Sequence, residues 1–307
     1  VISLREAWGK ALVELGREVP ELVVLDGDLA NSTRADLFDQ AFPERFLQMG
    51  IAEQNLVGVA AGLAHSGLIP WLSSFAVFFT HRALDPLRML VAQTEANVKI
   101  GAGYAGLLTG RTGKTHQDVE DLAIMRAMPK MAVLAPADPE ECRWMTRWAT
   151  FHLGPVYLRL ARDPEPDLPP APLVPGRPRL VRPGGSIALV STGVQSVRTL
   201  EAARLLAEAG VDARVIHLGW LKPLDTEALL EMLEGVEWVV TVEEHSVIGG
   251  LGGLIAELLS ARRPTRILRI GIQDDFGESA SNQALLERHG LSPNKIAQRV
   301  LEERIWV

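Results

Sequence analysis

The stretch "MGIAEQNLVGVAAG" (Met49–Gly62) sets a single carboxylate, Glu53, in a run of small and apolar residues. Helical spacing of such residues continues through Leu63 and Ala64 and breaks at Gly67 and Pro70. The spacing predicts a mostly buried helix with Glu53 in its N-terminal turn. An acid in that place either caps the helix against its dipole or does chemistry. The stretch by itself leaves both readings open.

On either side of it, helical and strand-like segments alternate. "LREAWGKALVELGRE" reads as an amphipathic helix and "LVVLDGD" as a short apolar strand before the quoted stretch; "LIPWLSSF" is a strand after it. "HRALDPLRMLVAQ", "VEDLAIMRAM" and "PEECRWMTRWATFH" follow as helices, with "NVKIGAG", "MAVLAPA" and "PVYLRLA" as strands between or after them. Such alternation indicates a parallel sheet covered by helices on both faces. A proline-rich run over 164–185 cannot hold a regular helix and reads as a semi-rigid linker. The pattern then restarts with "SIALVST", "SVRTLEAARLLAEAG", "DARVIHLGW", "DTEALLEML", "WVVTVEEH", "GLGGLIAELLSA" and "TRILRIGI". The expected architecture is therefore two α/β domains, 1–163 and 186–307, each a mainly parallel sheet with helices on both faces.

The 307 residues carry a formal charge of −7, which speaks against a general nucleic-acid or membrane-surface role, since both favour a basic face. The lone Cys142 has no partner for an internal disulfide, which fits a reducing cytoplasm. No apolar run reaches membrane-span length, and "VISLREAWGKALVEL" carries charges at helical spacing, unlike a signal peptide. Neither CxxC nor HExxH occurs, so no metal site is expected on this chain. "IGGLGG" (Ile248–Gly253) lacks GxGxxG spacing and follows the acidic "VEEH", so close packing of a helix on the sheet explains it better than a phosphate cradle. The order of "DGD" at Asp26–Asp28 does not match the GDG of a metal–diphosphate motif.

At "MGIAEQNLVGVAAG" the chain resembles the pyrimidine-binding domain of thiamine diphosphate enzymes of the transketolase group. "SSFAVFFTHRALDPLR" resembles the aromatic segment that packs on the cofactor's aminopyrimidine, and "GKTHQDVEDLAIMRAMPKMAVLAPAD" resembles the stretch beginning GPTHQ. "GPVYLRLAR" resembles the strand that closes the domain, and "VVTVEEHSVIGGLGGLIAELL" the family's C-terminal domain. The resemblance covers nearly the whole sequence. It implies the C-terminal subunit of a split transketolase, transferring a two-carbon ketol unit from a ketose (phosphate) to an aldose phosphate. A separate N-terminal subunit would carry the GDG…N motif and hold most of the Mg2+ and the diphosphate, and two chains of each kind would form an α2β2 heterotetramer.

The resemblance also assigns residues. Glu53 would hydrogen-bond N1′ of the pyrimidine and so activate the cofactor's own amino group, a task that needs a shielded carboxyl. Phe75 and Phe78, three apart, would stack on or flank the ring, with His81 where a tyrosine would flank it and Asp28 close to the cofactor and the subunit interface. Arg5, Ser32 and Arg162 fall at the phosphate contacts, and His116 matches the histidine that meets the reacting hydroxyls. Tyr104 stands in place of a histidine and Thr112 in place of an aspartate that senses a sugar hydroxyl; Lys114 replaces a proline. Cofactor-side residues thus match the family better than donor-side ones. His65, His217 and His245 read as structural or surface residues. Two other readings stay open: the beta subunit of a 2-oxo acid dehydrogenase decarboxylase component, which also carries "GIAEQ", and a non-catalytic scaffold subunit.

Overall fold

In the computed structural model, which describes residues 2–304, the first helix α1 (Leu4–Glu18) starts at an N-cap, Ser3, whose hydroxyl accepts the amide of Glu6. Its buried residues Leu4, Ala7, Trp8, Ala11, Leu12 and Leu15 follow the helical repeat and pack on the first sheet. The chain continues through β1 (Leu22–Asp26), the short helices α2 (Ala30–Thr33) and α3 (Asp36–Ala41), β2 (Phe46–Gln48), α4 (Glu53–His65) and β3 (Ile69–Phe75). The next helical segment has π-type turns over Phe78–Arg82 and Leu87–Ala92 on either side of α5 (Leu84–Pro86), where Pro86 cannot donate to the ladder. Then come β4 (Lys99–Gly103), α6 (Asp121–Ala127), β5 (Ala132–Leu134), α7 (Pro139–Phe151) and β6 (Val156–Leu160). Asp138 caps α7 by accepting the amide of Glu141, and Pro139 takes the first helical position, which needs no N–H.

The proline-rich stretch is irregular at first and then forms β7 (Arg179–Arg182). After it run β8 (Ile187–Ser191), α8 (Gln195–Glu208), β9 (Ala213–His217), β10 (Trp220–Lys222), α9 (Thr226–Met232), β11 (Trp238–Ser246), α10 (Leu251–Arg262), β12 (Arg266–Ile272), α11 (Asn282–Arg288) and α12 (Pro293–Arg304). Two sheets result, with strand orders β10-β5-β6-β4-β3-β1-β2 and β12-β11-β8-β9-β7. Every pairing is parallel except β10 on β5 and β7 on β9, and apolar clusters lie on both faces of each sheet. The architecture is α/β throughout.

Beside β7, which forms inside the run read as a linker, two findings depart from the sequence pattern. The first is β10: it follows β9 of the second sheet yet pairs with β5 of the first, so the two sheets share chain. The second concerns α4, where burial is confined to one stripe, Glu53, Leu56, Val57, Ala60 and Ala61. Gly58, Val59, Leu63 and Ala64 are only half-buried and Gly62 is exposed, so the helix is not mostly buried.

The sheets are also joined by buried polar groups. Arg159 on β6 donates to both carboxylate oxygens of Asp121, at 2.8 and 3.1 Å, and to the backbone carbonyl of Glu244 at 3.0 Å. Tyr157 donates to the same Asp121 at 2.9 Å. Glu244 in turn accepts the amides of Leu107 and Leu108 at 2.8 and 3.0 Å, which fixes the loop that follows β4. Glu141 and His217, one from each domain, meet at 2.9 Å. The "IGGLGG" run shows why an anion from outside has no place there: Glu243 already accepts the amides of Leu251 and Gly252 at the start of α10. A Cβ on Gly250 would collide with the Glu243 carboxylate, so glycine is required for that approach.

Replacing Arg159 with Met should strand Asp121 without its counter-charge in the interior and cost about 3–5 kcal/mol. Denaturant unfolding should show a large fall in midpoint. An unfolding free energy within a few tenths of a kcal/mol of wild type would show that Arg159 does not help to hold the sheets together.

Candidate active site

In an open parallel sheet, ligands bind beyond the carboxyl ends of the strands where the strand order reverses direction. Here β2 lies on one side of β1 and β3 on the other, so that point is the β1/β3 junction. Gly27, which follows β1, bonds its amide to Ser73 at 2.9 Å, and a Cβ on it would sit 3.2 Å from the Ser74 hydroxyl and 3.6 Å from the Glu53 carboxylate. Asp26 builds the junction. Its buried carboxylate accepts the amides of Leu29 and Ala30, the Gln48 amide group and the Ser73 hydroxyl. Burial raises its pKa against the pull of those bonds.

Glu53 opens α4 beside this junction and is 0 % exposed. Its side chain does not cap the helix: the N-cap, Ala52, is unassisted, and no amide of α4 donates to the carboxylate. One oxygen accepts the Ser74 hydroxyl at 3.1 Å, and the other meets the Arg82 guanidinium at 2.7 Å. Glu53 thus stands in the first turn, where the dipole favours an acid, but makes no capping bond, and its carboxylate is turned toward Ser74 and Arg82 instead.

Aromatic rings continue from that point. Arg82 also lies over the Phe78 ring, 4.5 Å from its centroid. Phe78 stacks on Phe75 with centroids 5.8 Å apart, and Phe75 stacks on Tyr104 at 4.1 Å, both pairs within 19° of parallel. His116 meets Phe75 and Phe78 edge-on, at 5.9 and 5.7 Å. Phe75 is buried between its neighbours, whereas Phe78 is half-exposed and offers a face. Tyr104 takes a left-handed backbone, φ 55°, at the end of β4, which swings its ring onto Phe75.

The far end of the row is cationic. Arg5 and Arg162 approach the Tyr104 ring at 5.6 and 5.5 Å. Arg5 donates to the Tyr104 hydroxyl, to the carbonyl of Ser32 and to the carbonyl of Arg162, all neutral acceptors. Arg162 ion-pairs with Asp163 at 3.1 Å, and its Nε is buried without a partner. Asn282 of α11 accepts the amide of Gly110 and donates to Asp163, so the second domain reaches this end of the cleft. Paired arginines around a hydroxyl suit a phosphate or similar anion.

Several expected residues lie elsewhere in the cleft. His81 makes no aromatic stack with Phe75 or Phe78; its ring is 3.4 Å from Glu120, and Arg82 takes the place over Phe78. Thr112 bonds back to Thr109 at 2.5 Å within its own exposed loop. Asp28 is exposed with φ 67° and contributes its backbone amide to Gln48. Ser32 contributes its carbonyl to Arg5, while its hydroxyl bonds to Asn31 at 3.4 Å. His217 and His245 are buried structural residues, whereas His65 bonds the Ala61 carbonyl at the exposed end of α4. His81, Asp118 and Glu120 bring possible ligand atoms within 4.8 Å, but Asp118 already accepts Thr80 at 2.5 Å and the Glu120 amide at 3.2 Å. Arg82, Ser74, Asp163 and Asn282 were not singled out from the sequence. Arg82 had a signal: of the two arginines in the aromatic segment it is the nearer to the phenylalanines, and a buried Glu53 demands a cation.

The chain matches the family model for the pyrimidine-binding domain of transketolase over residues 1–165 and that for the transketolase C-terminal domain over 176–296. These define a thiamine diphosphate-type enzyme fold. The protein belongs to the transketolase family. It is 41 % identical over 306 residues to a Methanocaldococcus jannaschii protein provisionally named transketolase C-terminal section, covering 98 % of this chain and 96 % of that one. It is 36 % identical to the 6-deoxy-6-sulfo-D-fructose transketolase subunit SqwH of a Clostridium strain, over 97 % of this chain and 94 % of the relative. Among solved structures, a "split gene transketolase, inactive beta4 tetramer" superposes with a TM-score of 0.91 at 46 % identity, over 98 % of both chains. The Campylobacter jejuni transketolase shares the fold at 23 % identity, with a TM-score of 0.84, and this chain spans 46 % of its length.

Asp118, in the loop that presents His116, yields a pH prediction. Burial, with the charge of Asp121 adding to it, pushes its carboxyl up to about 7 from an ordinary 3.8. The folded chain then keeps a proton that the unfolded chain has released, so stability falls as pH rises across that interval and levels off above it. The slope from one proton is at most about 1.4 kcal/mol per pH unit. In Asp118→Asn this loss should vanish, so urea unfolding should show the variant gaining on wild type between pH 5 and pH 7.5. A constant difference across that range would remove the assignment.

Proposed function

We infer that this chain is the pyrimidine-side, C-terminal subunit of a two-chain transketolase that moves a two-carbon ketol unit from a ketose (phosphate) to an aldose phosphate. The observation that carries the reading is Glu53: a carboxylate with no exposure, beside the strand-order reversal, that makes no capping bond to its own helix and sits beside stacked aromatics. Those residues fit an aminopyrimidine, which needs one acid at its edge and an apolar ring against its face. Thiamine diphosphate, when bound, supplies the nucleophilic carbon that cleaves and re-forms the bond beside a ketose carbonyl. Glu53 would hold a proton at N1′ of the ring, Phe78 would offer the stacking face, and Phe75 would back it. His116, edge-on to both rings, is placed to donate to or accept from a sugar hydroxyl near the reacting carbon. Arg5 and Arg162 would take the substrate's phosphate, with Tyr104 spacing them from the cofactor end.

The assembly follows from what the cleft supplies. The described residues offer an aromatic and acidic side for the pyrimidine, and the magnesium–diphosphate pair would be held by a partner chain. Relatives named as transketolase subunits, such as one for apulose 4-phosphate in Actinobacillus succinogenes, 33 % identical, support a separate partner. So does the word "inactive" in the name of the beta4 structure. The open face of α4, with Gly58 and Gly62 clear of neighbours and Met89 and Leu90 part-exposed nearby, suits self-association within an α2β2 complex. No helix among the described residues is long and apolar enough to cross a membrane, and the free, buried Cys142 suits a cytoplasmic setting.

In the complex with its partner, Glu53→Gln should abolish ketol transfer while leaving the fold intact, because an amide cannot hold and return the proton at N1′. Near-normal turnover by the folded variant would remove Glu53 from the mechanism. Arg162→Ala should raise KM for phosphorylated acceptors by an amount worth on the order of 1.5–3 kcal/mol, with much less effect on the unphosphorylated analogue. Equal losses for both acceptors would make Arg162 structural.

A further inference from the structure

We propose that Arg82 is a latch that takes the pyrimidine's seat on Phe78 and Glu53 and must leave it for the ring to enter. This rests on the reading of Glu53 and Phe78 as the pyrimidine site and goes beyond it, because it gives the site a closed state of its own.

Two contacts define the latch. The Arg82 guanidinium lies over the Phe78 ring at 4.5 Å and bonds the buried Glu53 carboxylate at 2.7 Å. A guanidinium is flat, carries N–H groups along its edge and stacks on aromatic faces. It therefore makes with one group the two contacts that an aminopyrimidine would make, a face on Phe78 and an edge on Glu53. A ring cannot take both while Arg82 holds them.

The surroundings show why the contact exists and why it can open. Glu53 is fully buried and its other partner is the neutral Ser74 hydroxyl, so without Arg82 the carboxylate would lack a counter-charge. The Arg82 side chain is 43 % exposed, so the guanidinium reaches water on leaving and loses no buried partner except Glu53. The anchoring is at the backbone: the Gln54 side chain donates to the Arg82 carbonyl at 3.0 Å, which holds the residue near α4 while its side chain stays free to turn. Arg82 is accordingly a positioning residue. It keeps Glu53 paired until the ring arrives, and it taxes the affinity for the ring by the fraction of chains that are latched.

The probe is 4-amino-5-hydroxymethyl-2-methylpyrimidine, the bare ring without diphosphate, titrated by NMR into the full chain without a partner. Wild type should bind it weakly, and the Arg82 Nε–H resonance should move toward that of a free arginine as the ring binds. With nine chains in ten latched, Arg82→Ala should bind about tenfold more tightly. Arg82→Lys, which keeps the charge but not the flat face, should fall between the two. Glu53→Gln should weaken binding and release the Arg82 resonance even without the ring. If Arg82→Ala leaves the buried Glu53 carboxylate too costly to hold unpaired for the chain to fold, Arg82→Lys and the wild-type resonance still decide the matter. Ring binding that depends on Glu53 but is unchanged or weakened in Arg82→Ala and Arg82→Lys overturns the latch and leaves the functional reading standing. Absence of ring binding in every one of these chains overturns both.

Discussion

Arg159 holds both oxygens of Asp121 and the backbone of Glu244, and most of the cleft hangs from that arrangement. The guanidinium is buried in the interior, paired with the Asp121 carboxylate and bonded through Nη2 to the backbone carbonyl of Glu244 as well. Because Glu244 is thus fixed, its own carboxylate can fix Leu107 and Leu108, and through them the loop that carries His116 toward the aromatic rings. That loop is pinned at its root by charge-assisted bonds from the other sheet, beside its own bridge between Gly106 and Asp118. The ion pair therefore matters less for the energy of one contact than for the position it imposes on residues that make none with it.

Charge is arranged along the cleft in a graded way. At one end Glu53 is paired with Arg82, and in the middle the stacked rings carry no formal charge. At the other end Arg162 is paired with Asp163, while among the described residues Arg5 bonds to neutral oxygens. Two pairs that can be exchanged for ligand groups flank a greasy centre. Two ligands, a flat ring at one end and a separate anion at the other, would match that sequence of environments. Tyr104, which differs from the histidine expected of a transketolase, is woven into the row by its stack on Phe75 and its hydroxyl on Arg5.

The periodic parts of this fold were legible in the sequence. Alternating apolar strands and amphipathic helices announced two α/β layers, and Glu53 stood out because an acid in an apolar run has to be accounted for. The bland account, a cap, could not be separated from the chemical one until its bonds to Ser74 and Arg82 were known. What remained hidden was non-local. Arg82 lies 29 residues from its partner, and no repeat or spacing links the two. Strand β10 has three residues, too few to show a period, and its pairing with β5 crosses from one domain to the other. Strand β7 emerges from a run whose prolines argue for irregular chain; it can form because it lies at the edge of its sheet, where a neighbour on one side is enough. Glu243 serves α10 from the preceding strand, where a local reading of "VEEH" sees only repulsion.

The loan of β10 has a consequence for how such a gene can be inherited. Trp220 enters the first sheet's edge with its ring against Trp144 and Trp148, and Leu221 joins the core on the opposite face. The proline-rich segment looks like a natural place to cut or to recombine, since it is irregular and joins two recognisable modules. A cut there would strip β5 of its neighbour and leave a raw strand edge beside uncovered tryptophans, the kind of surface that sticks to its own copies. A shuffled gene that kept the first module and exchanged the second would have to bring a matching strand with it. The two modules thus travel as one heritable unit, and the visible seam between them is not where this chain can be divided.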